Sequence, residues 1–398
     1  MRVEAPGRAN PRADVIVVFG TWLLTRILLV SALIVQTGDW HRAVGALTSF
    51  DGAWYVRIAT DGYSYAPDGG QHNVAFFPLY PAAIWILART GLGAADAALF
   101  ISNAAFLAML FVVFAWIARR AGSLAARWTV ATLCCCPLSL FGSAAYSEAL
   151  YMLLSAAALL AADSLRFRRA APWVALASAT RAIGIAFLPA FLLAAVVRRR
   201  AGGLLPALAA ATGLIGFSAY CASRFGDPLA WLHVQAAWRH GAGFDEAAWQ
   251  NLLGAGVAGT PSLHAVALGS AILLWLLRRA HVAVRFLLWL LLLEAERWAW
   301  NGTEYVFLLT IVAAVLAIVF RRRLGVTALT YFFAGLVLIA LAGYPISVDR
   351  FAYALLPASA ALALLWRRAP ALGGAAMVVM LSDLFFFTLR FAAHQFVA

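Results

Sequence analysis

Apolar positions fall in long unbroken runs, not in the alternating or three-to-four spacing of a soluble fold. The runs lie at residues 15–35, 76–88, 97–118, 128–140, 145–165, 173–197, 204–223, 262–277, 282–293, 305–320, 324–343, 351–366 and 374–391. A helix rises about 1.5 Å per residue, so about 20 apolar residues cross the hydrocarbon of a bilayer. Runs 76–88, 128–140 and 282–293 fall short of that. They read as tilted or re-entrant helices, or as helices whose polar ends line a cavity. The pattern predicts an all-α polytopic membrane protein of roughly 11–13 transmembrane or re-entrant helices. No internal repeat or low-complexity stretch divides it, so residues 1–398 read as a single membrane domain. Two longer polar segments interrupt the pattern, 36–75 and 224–260. Neither is long enough to bury a core of its own.

Composition strengthens this reading. The chain is 64% hydrophobic and 12% charged, with a mean hydropathy of +0.87. A soluble fold of that composition would expose large apolar patches. The net charge of +13 could suggest a nucleic-acid partner, but its distribution excludes one. The basic residues sit in short clusters between runs: Arg119-Arg120, Arg166 to Arg169, Arg198 to Arg200, Arg278-Arg279, Arg321 to Arg323 and Arg367-Arg368. This is the positive-inside pattern, and it draws anionic headgroups. Arg2, Arg8 and Arg12 precede the first run, which reads as a retained helix with a cytoplasmic N-terminus. If runs 76–88 and 173–197 both cross fully, Arg119-Arg120 and Arg166 to Arg169 land outside. If both are re-entrant, those clusters land inside. The pattern leaves both cases open, and in either case segments 36–75 and 224–260 lie outside. Cys134, Cys135, Cys136 and Cys221 all lie in apolar runs and read as small buried residues.

Candidate chemistry begins in the first external segment. Ser49-Phe50-Asp51-Gly52-Ala53-Trp54-Tyr55-Val56-Arg57-Ile58-Ala59-Thr60-Asp61-Gly62-Tyr63 predicts a short interfacial helix that Gly62 stops. Asp51, Tyr55 and Ile58 share a face, and Arg57 and Asp61 are placed to pair. Asp51 in the first turn suits the helix dipole; it fits a cap as well as it fits a functional carboxylate. The segment returns as Asn73-Val74-Ala75-Phe76-Phe77-Pro78-Leu79-Tyr80-Pro81, a stiff aromatic corner suited to sugar rings, lipid chains or an ordinary aromatic belt. Within apolar runs stand Glu148, after Ala145-Tyr146-Ser147, and Arg181, in Ser178-Ala179-Thr180-Arg181-Ala182. Asp349-Arg350 opens a later run. A charge at a helix centre in the membrane costs about 2.5–3.5 kcal/mol, so it marks a site or an ion pair. In segment 224–260, Trp231, Gln235 and Trp238 share a helical face beside His233. No spacing suits a metal, and no glycine-rich phosphate loop or Gly-x-Ser-x-Gly turn occurs.

Taken together, Phe50-Asp51-Gly52-Ala53-Trp54-Tyr55 with Ile58-Ala59 and Gly62-Tyr63, then Ala75 to Pro81, then Ser143-Ala144-Ala145-Tyr146-Ser147-Glu148, then Ala179-Thr180-Arg181, resemble the PIG-V-type mannosyltransferases. These are membrane glycosyltransferases of the GT-C class. Asp349-Arg350-Phe351 before Leu356-Pro357 is a weaker match, and Phe50 stands where the family usually has Trp. The stretch from Val282 to Glu304, with Glu294, Glu296, Arg297 and Asn301, has no counterpart. The resemblance implies a GT-C-like bundle, a polyprenyl-phosphate sugar donor with mannose first among the sugars, and inversion at the anomeric carbon. It also implies that an aspartate of the first external loop is the base, a role that falls on Asp51.

The residues fit that chemistry. A phosphate leaves without being protonated, so one carboxylate suffices to take the acceptor proton. A glycosidase needs two. The leaving phosphate needs cations, and guanidinium forks suit it. Arg350 and Arg181 are the candidates, with Arg57 third. Trp54, Tyr55, Tyr63, Phe77, Tyr80, Tyr146, Glu148, His233 and Trp238 are the expected substrate-binding positions. No cofactor or metal is expected. Expected partners are membrane lipids, the lipid-linked donor, and a glycolipid, polysaccharide or protein acceptor. The absence of lysine and the wealth of Ala and Arg point to a GC-rich bacterial genome, hence to a bacterial plasma membrane, and the positive-inside pattern puts the site on its outer side. Rival readings are a lipid or small-molecule transporter or flippase, a GT-C enzyme for arabinose or glucose, and a structural subunit.

Overall fold

A computed structural model describes residues 11–239, 243–251, 304–343 and 347–395. Runs 262–277 and 282–293, the stretch holding Glu294 to Asn301, and part of segment 224–260 lie outside the described residues. Among the described residues the chain is helical, with one isolated bridge between Gly243 and Ala342. Four described helical stretches are long and apolar enough to cross a membrane: Pro11–Thr37 (α1), Ala94–Ala121 (α5), Ala201–Phe225 and Pro370–Ala392 (α17). Most of the second of these, Leu204–Phe225, is α10. Large apolar side chains on α1, among them Ile16, Leu24 and Val35, face outwards. In water that would be an aggregation hazard; in lipid it is the outer wall.

The remaining runs are broken where the sequence supplies a breaker. Run 128–140 ends as Ser123–Cys135 (α6), because Pro137 holds the preceding Cys136 in an extended conformation (ψ 134°). Run 145–165 becomes Glu148–Asp163 (α7), so Glu148 opens a helix and is not embedded in one. A carboxylate is favoured there by the helix dipole. Run 173–197 is split into Phe167–Thr180 (α8) and Phe187–Val197 (α9) by an extended Arg181 and a short 3-10 turn. Gly184 permits the fold-back, since a Cβ there would sit 2.5 Å from Ser178 Cα. Run 351–366 likewise splits into Val348–Tyr353 (α15) and Pro357–Arg368 (α16). The run 76–88 yields only Leu79–Ala88 (α4), about 15 Å of helix at the usual rise. Glu304–Val319 (α13) and Val326–Ala340 (α14) complete the bundle, after the short loop helices Ala230–His233 (α11) and Gln235–Arg239 (α12).

These breaks settle which basic clusters share an end. Arg120 bonds Asp163 at 2.6 Å and also reaches the Arg323 carbonyl. Arg119 donates to Ser164, and Arg367 to the Ala121 carbonyl. Arg127 pairs with Asp14 at the start of α1. Arg119-Arg120, Arg321 to Arg323 and Arg367-Arg368 therefore gather at the N-terminal end of α1, and Asp163 and Ser164 bring the adjoining Arg166 to Arg169 to the same end. This is the arrangement in which 76–88 and 173–197 are re-entrant. Helices α7, α9 and α16 run from the opposite end towards the arginines, and α8 and α14 run back. The core between them is rich in Ala and Gly, which lets backbones approach closely where apolar burial gives no drive. At the α8–α10 crossing, a Cβ on Gly213 would lie 2.2 Å from the Ala179 nitrogen.

Candidate active site

The end opposite the arginine clusters is built on Asp51–Asp61 (α3). Gly62 closes this helix at φ 81°, in the region that glycine enters freely. Phe50, just before it, also has a positive φ, 54°. That conformation costs a bulky residue about 1–3 kcal/mol and persists only where the surroundings enforce it. Here the Phe50 ring packs on Phe391 at 5.3 Å. The first turn of α3 is stitched to the segment leading into α7. Ala145 N–H donates to the Leu47 carbonyl at 2.9 Å. Gly52 lies so close to Ala145 that an added Cβ would be 3.3 Å from its Cβ. The Tyr55 hydroxyl and Ser147 Oγ are 2.8 Å apart.

This stitching places Asp51 in a row of alternating charges. Arg350 Nη1 lies 2.8 Å from Asp51 Oδ2, and its Nε lies 3.3 Å from Glu148 Oε1. Arg181 Nη1 lies 2.7 Å from the same Glu148 oxygen and donates to Ser147 Oγ at 3.1 Å. Glu148 is 1% exposed and Arg350 7%. The Phe351 ring receives both guanidinium groups, Arg181 at 4.9 Å and Arg350 at 5.2 Å. Arg350 also stacks over Phe141 and Tyr146.

Asp51, Arg350 and Arg181 line a cavity of about 530 Å³, a volume suited to a small-molecule ligand. One part of its wall is aromatic: Tyr55, Phe76, Phe77, Tyr146, Trp231 and Trp238. Another is aliphatic, from Ile183 and Ile185 of the α8–α9 turn, Leu214 of α10, and Leu338 and Ile339 of α14. The polar groups thus stand in a wall that mixes aromatic and aliphatic side chains.

Several expected residues lie elsewhere. Glu148 does not reach the cavity, because both arginines cover it. Arg57 is exposed and turns to the Trp54 ring, 5.7 Å from its centroid; it is not part of the cavity wall. His233 is mostly exposed and pairs with Asp227 at 2.8 Å. That contact holds the Asp227 carboxyl below its ordinary range, and together with the Tyr65 hydroxyl it clasps the second loop to the first. Tyr63 and Tyr80 shape the wall from behind. Tyr63 donates to the Phe76 carbonyl, and Tyr80 lies edge-on to Tyr55 and donates to the Ala98 carbonyl. Trp54 stacks on Phe76 outside the cavity.

Two features were not singled out from the sequence. Phe391, near the end of α17, closes the wall beside Phe50 and Phe141. Nothing local in the sequence marks such a long-range contact. Arg26, buried in α1, donates to the Ser139 carbonyl and to Ser139 and Ser143 hydroxyls, each at 2.8 Å. It pins the segment that leads to Tyr146 and Glu148. Its signal was an arginine inside an apolar run, the same signal that marked Arg181.

The fold and site are those of a multi-pass helical membrane protein with a charged, partly buried cavity. Residues 22–199, somewhat less than half of the chain, match the family model for Mannosyltransferase (PIG-V), and this similarity supports a glycosyltransferase. It spans α3, the aromatic corner, Glu148 and Arg181, and stops short of Arg350. No curated protein matches the chain. Among solved structures, the archaeal oligosaccharyltransferase AglB from Archaeoglobus fulgidus, in complex with an inhibitory peptide and a dolichol-phosphate, is similar at 14% identity and a TM-score of 0.48. The likeness covers 93% of this chain and 56% of that one, so the chain spans little more than half of the other's length. At that score the likeness says nothing about this chain's chemistry.

Proposed function

We propose that the protein is an inverting, polyprenyl-phosphate-mannose-dependent mannosyltransferase. It would work on the outer face of a bacterial plasma membrane and pass the sugar to a hydroxyl of a glycolipid, polysaccharide or protein. The observation that carries this reading is the row Asp51–Arg350–Glu148–Arg181, three of whose members line a cavity walled by aromatic and aliphatic side chains. The aliphatic lining side chains suit a prenyl chain. The arginines suit the phosphate, since guanidinium binds it through two parallel hydrogen bonds and stays charged. The aromatic walls suit a sugar ring. Asp51 is the carboxylate on the cavity surface and accepts the proton of the attacking hydroxyl.

The positive-inside distribution favours the sidedness. All described arginine clusters lie at the end opposite Asp51, which supports an extracytoplasmic Asp51 end. A lipid-borne donor is already in the bilayer there. Replacing Asp51 with Asn tests the reading in membranes supplied with polyprenyl-phosphate mannose. Transfer is expected to fall about 10²–10⁴-fold, the usual worth of a positioned base. Near-normal transfer by a correctly folded Asn variant would overturn the base assignment.

A further inference from the structure

Glu148 has no direct path to a substrate, yet it is the most deeply enclosed carboxylate of the site. One of its oxygens meets Arg181 at 2.7 Å and Arg350 at 3.3 Å. The ring of Phe351 receives the same two guanidinium groups. Without a charge between them, two cations this close in a protein interior would repel each other strongly. Glu148 and Phe351 therefore set the spacing of the arginine pair, and both arginines still present an edge to the cavity.

Arg350 has a second partner in Asp51, at 2.8 Å. Asp51, Arg350, Glu148 and Arg181 together carry no net formal charge. Resting on the donor reading above, we infer that Glu148 is a positioning residue: it holds Arg350 and Arg181 as one anion clamp, so that Arg350 can pass from Asp51 to the departing phosphate during transfer.

The balance of the step supports this. A bond forms between the acceptor oxygen and the anomeric carbon. The bond from that carbon to the phosphate oxygen breaks, and its electron pair leaves with the phosphate. The acceptor proton goes to Asp51. The donor phosphodiester carries one negative charge and the released phosphate monoester about two. Protonation removes the Asp51 charge as the phosphate gains its second one. Arg350 thus loses its carboxylate partner at the stage when the leaving group needs a cation. Glu148 keeps its charge throughout and attracts Arg350 from the Nε side, at 3.3 Å and without a hydrogen bond, leaving Nη1 free to change partners.

The experiment compares wild type, Glu148→Gln and Glu148→Asp in the full-length protein. Polyprenyl phosphate is the binding probe for detergent-purified protein, and transfer from saturating polyprenyl-phosphate mannose is followed in membranes. Neutralising Glu148 leaves the clamp more positive but less ordered. Glu148→Gln is therefore expected to bind polyprenyl phosphate as tightly as wild type or more tightly, while transfer falls at least about tenfold. Glu148→Asp keeps the charge on a shorter arm and is expected to recover part of the rate. A parallel fall of binding and rate in Glu148→Gln would show a purely structural role and overturn the inference, as would an unchanged rate. Should Glu148→Gln not fold, Glu148→Asp carries the test alone: a lower rate with unchanged binding supports the inference, and a parallel fall or an unchanged rate overturns it. Wild-type protein that neither binds polyprenyl phosphate nor transfers from its mannose ester would sink the donor reading instead.

Discussion

Arg350 is the residue on which the site turns, because it touches both carboxylates through different nitrogens. A lysine would keep the charge but could not span Asp51 and Glu148 at once. Arg350→Lys is therefore expected to lower transfer by about 10²-fold, in line with the loss of a preorganised charge donor. Arg57→Ala is expected to leave transfer within about threefold, since an exposed stack on Trp54 contributes little. A rate assay on both variants checks the contrast; equal losses would contradict the position of Arg57 outside the cavity. The sequence marks Glu148, Arg181 and Arg350 because charge inside or beside an apolar run is costly, and Asp51 because it opens a short interfacial helix in a motif that resembles the family's. It could not rank them. Arg57 and His233 carry suitable chemistry, and only the fold shows that one stacks on a surface tryptophan and the other closes a loop clasp. Glu148 reads as a ligand-facing acid until the structure shows two arginines lying over it.

Among the elements, the α8–α9 turn is the one that hydropathy conceals. A single apolar run covers both helices, and the turn appears only through Gly184 and the extended Arg181. Proline marks the other breaks locally, at Pro137 and Pro357, and helix α3 was legible from its glycine stop and its periodicity. The α8 end is held by Gly213 of α10, whose N–H donates to Ser178 Oγ at 3.1 Å. Gly213→Ala would drive a methyl into the backbone at Ser178 and Ala179. Overpacking of this kind costs about 1–3 kcal/mol and displaces Arg181, three residues away from Ser178. Both thermal stability and transfer are expected to fall. Gly216→Ala, one turn further along α10 with open space around it, is expected to be neutral or slightly stabilising. Melting curves of the two variants in detergent check this pair, and matching curves would contradict the close crossing.

At the scale of the whole molecule, the account depends on one end being basic and the other catalytic. The four native cysteines are buried, so introduced cysteines can report orientation with little background. Asp68→Cys, in the exposed first loop, should react with an impermeant maleimide on intact cells. Arg322→Cys, in an exposed cluster, should react only after permeabilisation. The reverse pattern would invert the protein in the membrane. The overall helical bundle was readable from hydropathy, whereas the shared end of the arginine clusters was not, because it depends on which runs turn back. The most direct test of the central claim is donor use. Membranes containing the wild-type protein are offered radiolabelled mannose either on polyprenyl phosphate or on a nucleotide, with lipid-donor synthesis blocked, and the label reaching acceptor is counted. The account predicts incorporation from the lipid donor alone, lost in Asp51→Asn. Incorporation from the nucleotide sugar, or from the lipid donor undiminished by Asp51→Asn, would contradict it.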